Sequence, residues 1–242
     1  MLELLRKTNP ICTPGWSLAG RMFGDTAFAL PPRTRVVLEG TEHLRALREG
    51  PAIVSPNHTH KFDFFPLRCA LLHRDLQLMT WIKARDYKHP AMRWILGKGG
   101  NIPLASRGYL IALDFAREHG RRPTEAEYRL LRGHVDTGGP LSNELATKLS
   151  RPRTIGGVVV GFANGYRGAI REAYRTLLNE ALRHARTGRD LGRHQHIYPQ
   201  GATSKQLTPG HPGAVQAALA LVLQTRSRYG AEEGPFLTDR TL

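Results

Sequence analysis

Apolar positions along the chain fall into two patterns, short continuous runs and runs with helical spacing, and the two alternate. Residues 51–55, Pro-Ala-Ile-Val-Ser, form a short apolar run ended by Pro56, which reads as a buried strand. Residues 77–80 and 101–104 read the same way. Between and around these runs, residues 42–48, 62–73 and 90–96 carry helix-like patterns. Over residues 169–186, Ala173, Leu177, Leu178, Ala181 and Leu182 recur at the spacing of one helix face. A strand at 196–198 then brings back the sheet, with His194 and His196 read as its polar approach. A helix over 214–223 follows a Pro/Gly-rich stretch. Alternating strand and helix predicts an α/β fold, with a mainly parallel or mixed sheet flanked by helices on both faces.

The character changes from about 109 to 170. Polar helix-forming stretches are broken by Pro123, Gly138-Gly139-Pro140 and Pro152, and the apolar run at 157–160 reads as a strand either of this region or of the sheet. This region is read as a helical insertion. Residues 1–33 mix aromatic and apolar residues with Gly and end in Pro31-Pro32, which predicts an amphipathic lead-in. The expected organisation is the lead-in at 1–33, one domain at 34–230 interrupted by the insert, and a tail at 231–242.

Composition narrows the class of partner. No apolar run reaches the roughly 20 residues that a membrane span requires. The charged start, with Glu3, Arg6 and Lys7, does not resemble a secretory signal, so the expected compartment is the cell interior. The 35 Lys and Arg against 20 Asp and Glu leave a formal charge of +15, which points to a polyanionic partner. Nucleic acid and anionic lipid both satisfy that charge. The chain has no zinc-finger spacing, RNP-type aromatic strand or long basic helix, so no nucleic acid is expected. Cys12 and Cys69, with no CxxC spacing, read as plain thiols. No Gly-rich nucleotide loop is present.

The segment richest in chemistry is Asn57-His58-Thr59-His60-Lys61-Phe62-Asp63, where a buried strand hands over to a helix. In one continuous helix His58 and Asp63 would point about 140° apart, so they can meet only if His58 lies in the turn before the helix. A carboxylate on one imidazole nitrogen fixes the tautomer and leaves the other nitrogen to act as a general base. The same residues also suit a helix cap, and His58, His60 and Asp63 suit a metal-ligand cluster of a hydrolase.

Asn-His, four residues and Asp is also the first signature of the glycerol-phosphate and lysophosphatidic-acid acyltransferases, which this sequence resembles. The resemblance continues through Lys83, Pro90, and Gly100-Asn101-Ile102-Pro103-Leu104-Ala105-Ser106-Arg107, similar to the family's second block with one extra residue before the arginine. The third block, usually Phe-Pro-Glu-Gly-Thr-Arg-Ser, is present as Tyr198-Pro199-Gln200-Gly201-Ala202-Thr203-Ser204. Gln200 thus stands for a glutamate and Thr203 for an arginine, with Lys205 a candidate replacement cation. The fourth block is not recognisable.

The resemblance implies a peripheral membrane enzyme that moves an acyl group from acyl-CoA or acyl carrier protein to a lysophospholipid hydroxyl. His58 would be the base and Asp63 its orienter. Asn57, Lys83, Arg107, Gln200, Gly201, Ser204 and Lys205 would bind substrate. No metal or other cofactor is implied, and the expected location is the inner face of an anionic membrane. The altered third block also leaves room for a lipid- or CoA-binding relative without catalysis.

Overall fold

The computed structural model describes residues 1–9, 14–29, 36–60, 63–149 and 151–198. Its centre is a four-stranded parallel sheet of β1 (Ile53–Val54), β2 (Leu78–Lys83), β3 (Ile102–Leu104) and β6 (His194–His196), in the order β1-β6-β2-β3. The last strand in sequence is therefore inserted between the first two. Register is set by pairs such as Val54 with His196, Thr80 with His196, and Lys83 with Leu104.

Because side chains alternate across a strand, the two faces of this sheet have separate cores. Met79, Trp81, Ile102 and Ile197 belong to the larger one, with α9 (Gly165–Asp190). Along α9, Tyr166, Ala169, Ile170, Ala173, Leu177, Ala181 and Ala185 are all buried, the 3.6-residue stripe expected from the sequence. On the opposite face Leu78 packs with Leu71 of α4 (Phe64–Leu72), and α2 (Pro14–Ala29) lies against α4.

Between β1 and β2, residues 41–49 form a short 3-10 turn and α3 (Leu44–Glu49). After β2 come a 3-10 turn at Ala84–Tyr87 and α5 (Pro90–Lys98). The region read from the sequence as an insert comprises α6 (Arg107–His119), α7 (Glu125–Thr137), α8 (Asn143–Leu149) and an antiparallel hairpin of β4 (Arg153–Ile155) and β5 (Val158–Val160). It is thus helical with a hairpin added. The hairpin turn is Gly156-Gly157, with φ of 61° and 88°, the left-handed pair that a two-residue turn of this kind requires. The apolar faces of α6 and α7 join the α9 core through Leu110, Ile111, Phe115, Leu131 and Val135.

The lead-in packs on the domain. In α1 (Leu2–Lys7), Leu5 is completely buried, and Leu2 N donates to Gly156 O at 2.9 Å. The expected helix at 214–223 and the tail at 231–242 lie outside the described residues.

His194 and His196 correct the sequence reading. They form the central strand itself, with His196 wholly buried, and do not approach it from solvent. Three polar side chains are tolerated there because each has a partner. His194 Nδ1 accepts from Ala52 N at 3.2 Å, and Gln195 accepts from Trp81 Nε1 at 3.1 Å while donating to Ala185 O at 3.2 Å. His196 Nδ1 lies 3.1 Å from Thr80 Oγ1. A buried polar group is destabilising only when left unpaired, which hydropathy alone does not register.

Candidate functional site

All four parallel strands point their carboxyl ends to one edge, where open α/β sheets place their sites. The first two sequence blocks and Tyr198, the head of the third, converge there. Asn57 and His58 follow β1, Tyr198 follows β6, Lys83 ends β2, and Arg107 follows β3 by three residues. Since β6 lies between β1 and β2, the third block arrives beside the first although about 140 residues separate them in sequence.

The chain leaves β1 through an irregular segment at 55–60 and enters α4 only at Phe64, so His58 sits in the turn that its pairing with Asp63 requires. Its Nδ1 lies 3.5 Å from Asp63 Oδ2, with both side chains largely buried. The carboxylate makes no cap bond to α4. It reaches back instead, and Oδ2 accepts from Thr59 N at 2.6 Å, His60 N at 2.7 Å and Thr59 Oγ1 at 3.3 Å. Asp63 therefore fixes the loop as well as the ring, and the helix-cap reading of these residues does not hold. His60 contributes its backbone amide to this arrangement.

Burial raises the Asp63 carboxyl, but the bonds from His60, Thr59 and His58 outweigh it and hold the group below its usual range. For His58, burial dominates and lowers the imidazole below its ordinary value. Asp63 opposes that shift, while Lys83 and His60 add to it. The result is a neutral imidazole beside an ionised carboxylate at neutral pH. Lys83 is itself lowered, by burial and by Arg85, with Asp86 opposing.

Tyr198 is a member of the site that had no role in the sequence reading. Its ring stacks on His58, with centroids 3.9 Å apart and planes at 23°, and meets His196 edge-on at 4.6 Å. Its hydroxyl is buried and has no hydrogen-bond partner among the described residues, and burial together with Asp63 raises its pKa. The only signal in the sequence was an aromatic at the head of the third block. Burial, with Arg68 and His58 nearby, lowers His196 to about 4, so a neutral ring lies beneath the stack.

The second block is locked from below. Arg68 Nη1 donates to Asn101 Oδ1 at 2.7 Å, and Asn101 Nδ2 donates to Leu96 O at 3.0 Å. Ser106 caps α6 by accepting from Tyr109 N at 3.1 Å, which sets Arg107 in the first helical position. Arg107 is engaged with the insert, its Nη1 lying 2.9 Å from Asp136 Oδ1 on α7. Arg132 also binds that carboxylate, and Arg167 Nη2 donates to the Asp136 carbonyl at 3.4 Å. Asp136 carried no signal in the sequence, because its partner is 29 positions away in another helix. Gln200, Gly201, Ser204 and Lys205 lie outside the described residues.

Among the described residues, no group of three or more His, Cys, Asp or Glu side chains is disposed to hold a metal ion. None of the described helices is long and apolar enough to cross a membrane. Residues 35–130 match the family model described as Acyltransferase, a span that includes the first two blocks. No curated protein matches the chain, and no solved structure does.

Proposed function

We propose that the acyltransferase domain at residues 35–130 serves O-acyl transfer from acyl-CoA or acyl carrier protein to a lysophospholipid hydroxyl, with lysophosphatidic acid as the type of acceptor. The observation that carries this reading is the pairing of a neutral, largely buried His58 with Asp63 at the carboxyl edge of the sheet. With Nδ1 turned to Asp63, Nε2 takes the proton of the acceptor hydroxyl as its oxygen attacks the thioester carbonyl. The C–S bond then breaks, and the imidazolium returns the proton to the departing thiolate. Products are the ester and the free thiol, and no metal or redox cofactor enters the step.

Asn57, Lys83 and Arg107 lie along the edge that would hold the acceptor, a role that the sequence pattern also gives to Gln200, Gly201, Ser204 and Lys205 of the third block. Lys83, which closes β2, offers an ammonium suited to a phosphate. The site works at a membrane inner face, attached peripherally. Support comes from the +15 charge and from apolar side chains exposed on two helices, Leu18 and Met22 of α2 and Met92, Trp94 and Ile95 of α5, the helices meeting where Trp16 contacts Trp94 with ring centroids 4.9 Å apart.

The test is thioester consumption by the purified chain against a panel of lysophospholipids and other alcohols, for wild type and His58→Ala. Thiol release that depends on acceptor and falls about 10²- to 10⁴-fold in the folded variant supports the reading. Release at near-normal rate in that variant removes His58 from the mechanism.

A further inference from the structure

A cavity of about 410 Å³ lies between α1, the 3-10 turn after β2, α5 and the first turn of α6. It reaches the carboxyl edge of the sheet at Ala84, directly after Lys83, and at Tyr109, two residues after Arg107. Its walls combine Leu4, Ala84 and Tyr87 with the cations Lys7, Lys88 and Arg93.

The charge there is not balanced. Lys7 is paired with Glu3 at 2.6 Å. Lys88 has no carboxylate partner among the described residues, and its Nζ sits 5.4 Å from the centroid of the Tyr109 ring. Arg93 also has none, and its Nε donates to Tyr87 O at 3.1 Å, which fixes the guanidinium by one nitrogen. Two cations held in place by neutral groups, lining a cavity with an apolar wall, form a site for an anion carried on a less polar chain.

Position tells which substrate this is. Lys83 and Arg107, at the ends of β2 and β3, are the cations assigned above to the acceptor's phosphate, and the cavity begins just beyond them, at Ala84 and Tyr109, with cations of its own. A lysophosphatidic-acid type of acceptor carries one phosphate, so a second anion site falls to the other substrate. The thiol carrier of an acyl donor supplies that anion, since a pantetheine arm joins its thioester sulfur to a phosphate in both coenzyme A and carrier protein. We propose that this cavity binds the phosphate of the donor's phosphopantetheine arm through Lys88 and Arg93, with the arm running along the sheet edge toward His58. This assignment rests on the acyl-transfer reading given above.

Calorimetric titration of the full chain with phosphopantetheine, pantetheine, coenzyme A and glycerol 3-phosphate tests it, with no turnover required. Phosphopantetheine should bind more tightly than pantetheine. Lys88→Ala and Arg93→Ala should each weaken phosphopantetheine and coenzyme A by about 3- to 30-fold, while leaving pantetheine and glycerol 3-phosphate unchanged. Lys88→Arg, which keeps the charge, should bind as wild type does, and thermal melts check that each variant is folded. Equal affinity for the two arms, no binding of either, or variants that weaken glycerol 3-phosphate instead would overturn the assignment. A chain that binds the arm as described yet transfers no acyl group would retain the site and remove the proposed reaction.

Discussion

The ring of Tyr198 lies flat against that of His58, 3.9 Å between centroids, and joins the third sequence block to the base of the first. The stack covers the imidazole and limits its rotation, so Tyr198 acts as a positioning residue. Tyr198→Phe keeps the ring and should retain turnover within a few-fold. Tyr198→Leu should lower kcat by about 10- to 100-fold, the scale of a base displaced by an ångström. Loss of the aromatic cover also rehydrates His58, so its pKa, followed by NMR, should move up toward the ordinary histidine value. In wild type the acid limb of kcat/KM should accordingly fall below pH 6.5. An unchanged His58 titration in Tyr198→Leu would count against this role.

Asp136 sets how strongly Arg107 can hold a phosphate. Its carboxylate is shared between Arg107 and Arg132, and an incoming phosphate must compete with it. Asp136→Asn, nearly the same size without the charge, should lower KM for phosphorylated acceptors several-fold and leave neutral alcohols unaffected. Arg107→Ala should raise KM for the same acceptors. A change of equal size for charged and neutral acceptors in both variants would show that the pair acts only on structure.

His196 makes the fold acid-sensitive. The ring is buried and neutral in the folded protein, titrating at about 4 against 6.5 when exposed. Between those values the unfolded chain binds a proton that the native one does not, so stability is full above about pH 6.5 and falls as the pH drops toward 4. The loss is on the order of 3 kcal/mol. His58, His184 and His194 are lowered in the same direction and add to it. Urea midpoints measured from pH 7.5 to 4 should show this slope, and His196→Gln should flatten it. A slope unchanged in that variant would assign the acid sensitivity to other groups.

Membrane attachment should need both charge and the exposed apolar side chains of α2 and α5. Cosedimentation with vesicles should rise with anionic lipid and fall as salt is raised, since the screening length shortens to about 3 Å at 1 M. Trp94→Ser should weaken binding about tenfold. Because Trp94 also touches Trp16, Met22→Ser provides an independent probe, its side chain being 63% exposed. Binding that is equal on neutral and anionic vesicles would reject this mode of attachment.

Features legible from the residues alone were local ones. The strand before Pro56, the stripe on α9 and the run of strands and helices up to residue 104 follow from spacings within a few turns of chain, where side-chain periodicity directly reflects burial. The His58 and Asp63 pairing was legible for the same reason. Five positions and a helix-breaking proline fix how the two can meet. Tertiary structure decided everything that depended on residues distant in sequence. Insertion of β6 between β1 and β2 turned His194 and His196 from a polar approach into the centre of the sheet, where Nδ1 of each meets a partner on a neighbouring element. It also brought Tyr198 against His58. Asp136 reached Arg107 only because α6 and α7 pack side by side, and the cavity near Lys88 formed only because α1 folds back onto the domain. Local spacing encodes which face a residue occupies, whereas the identity of its neighbour across that face is set by the path of the whole chain.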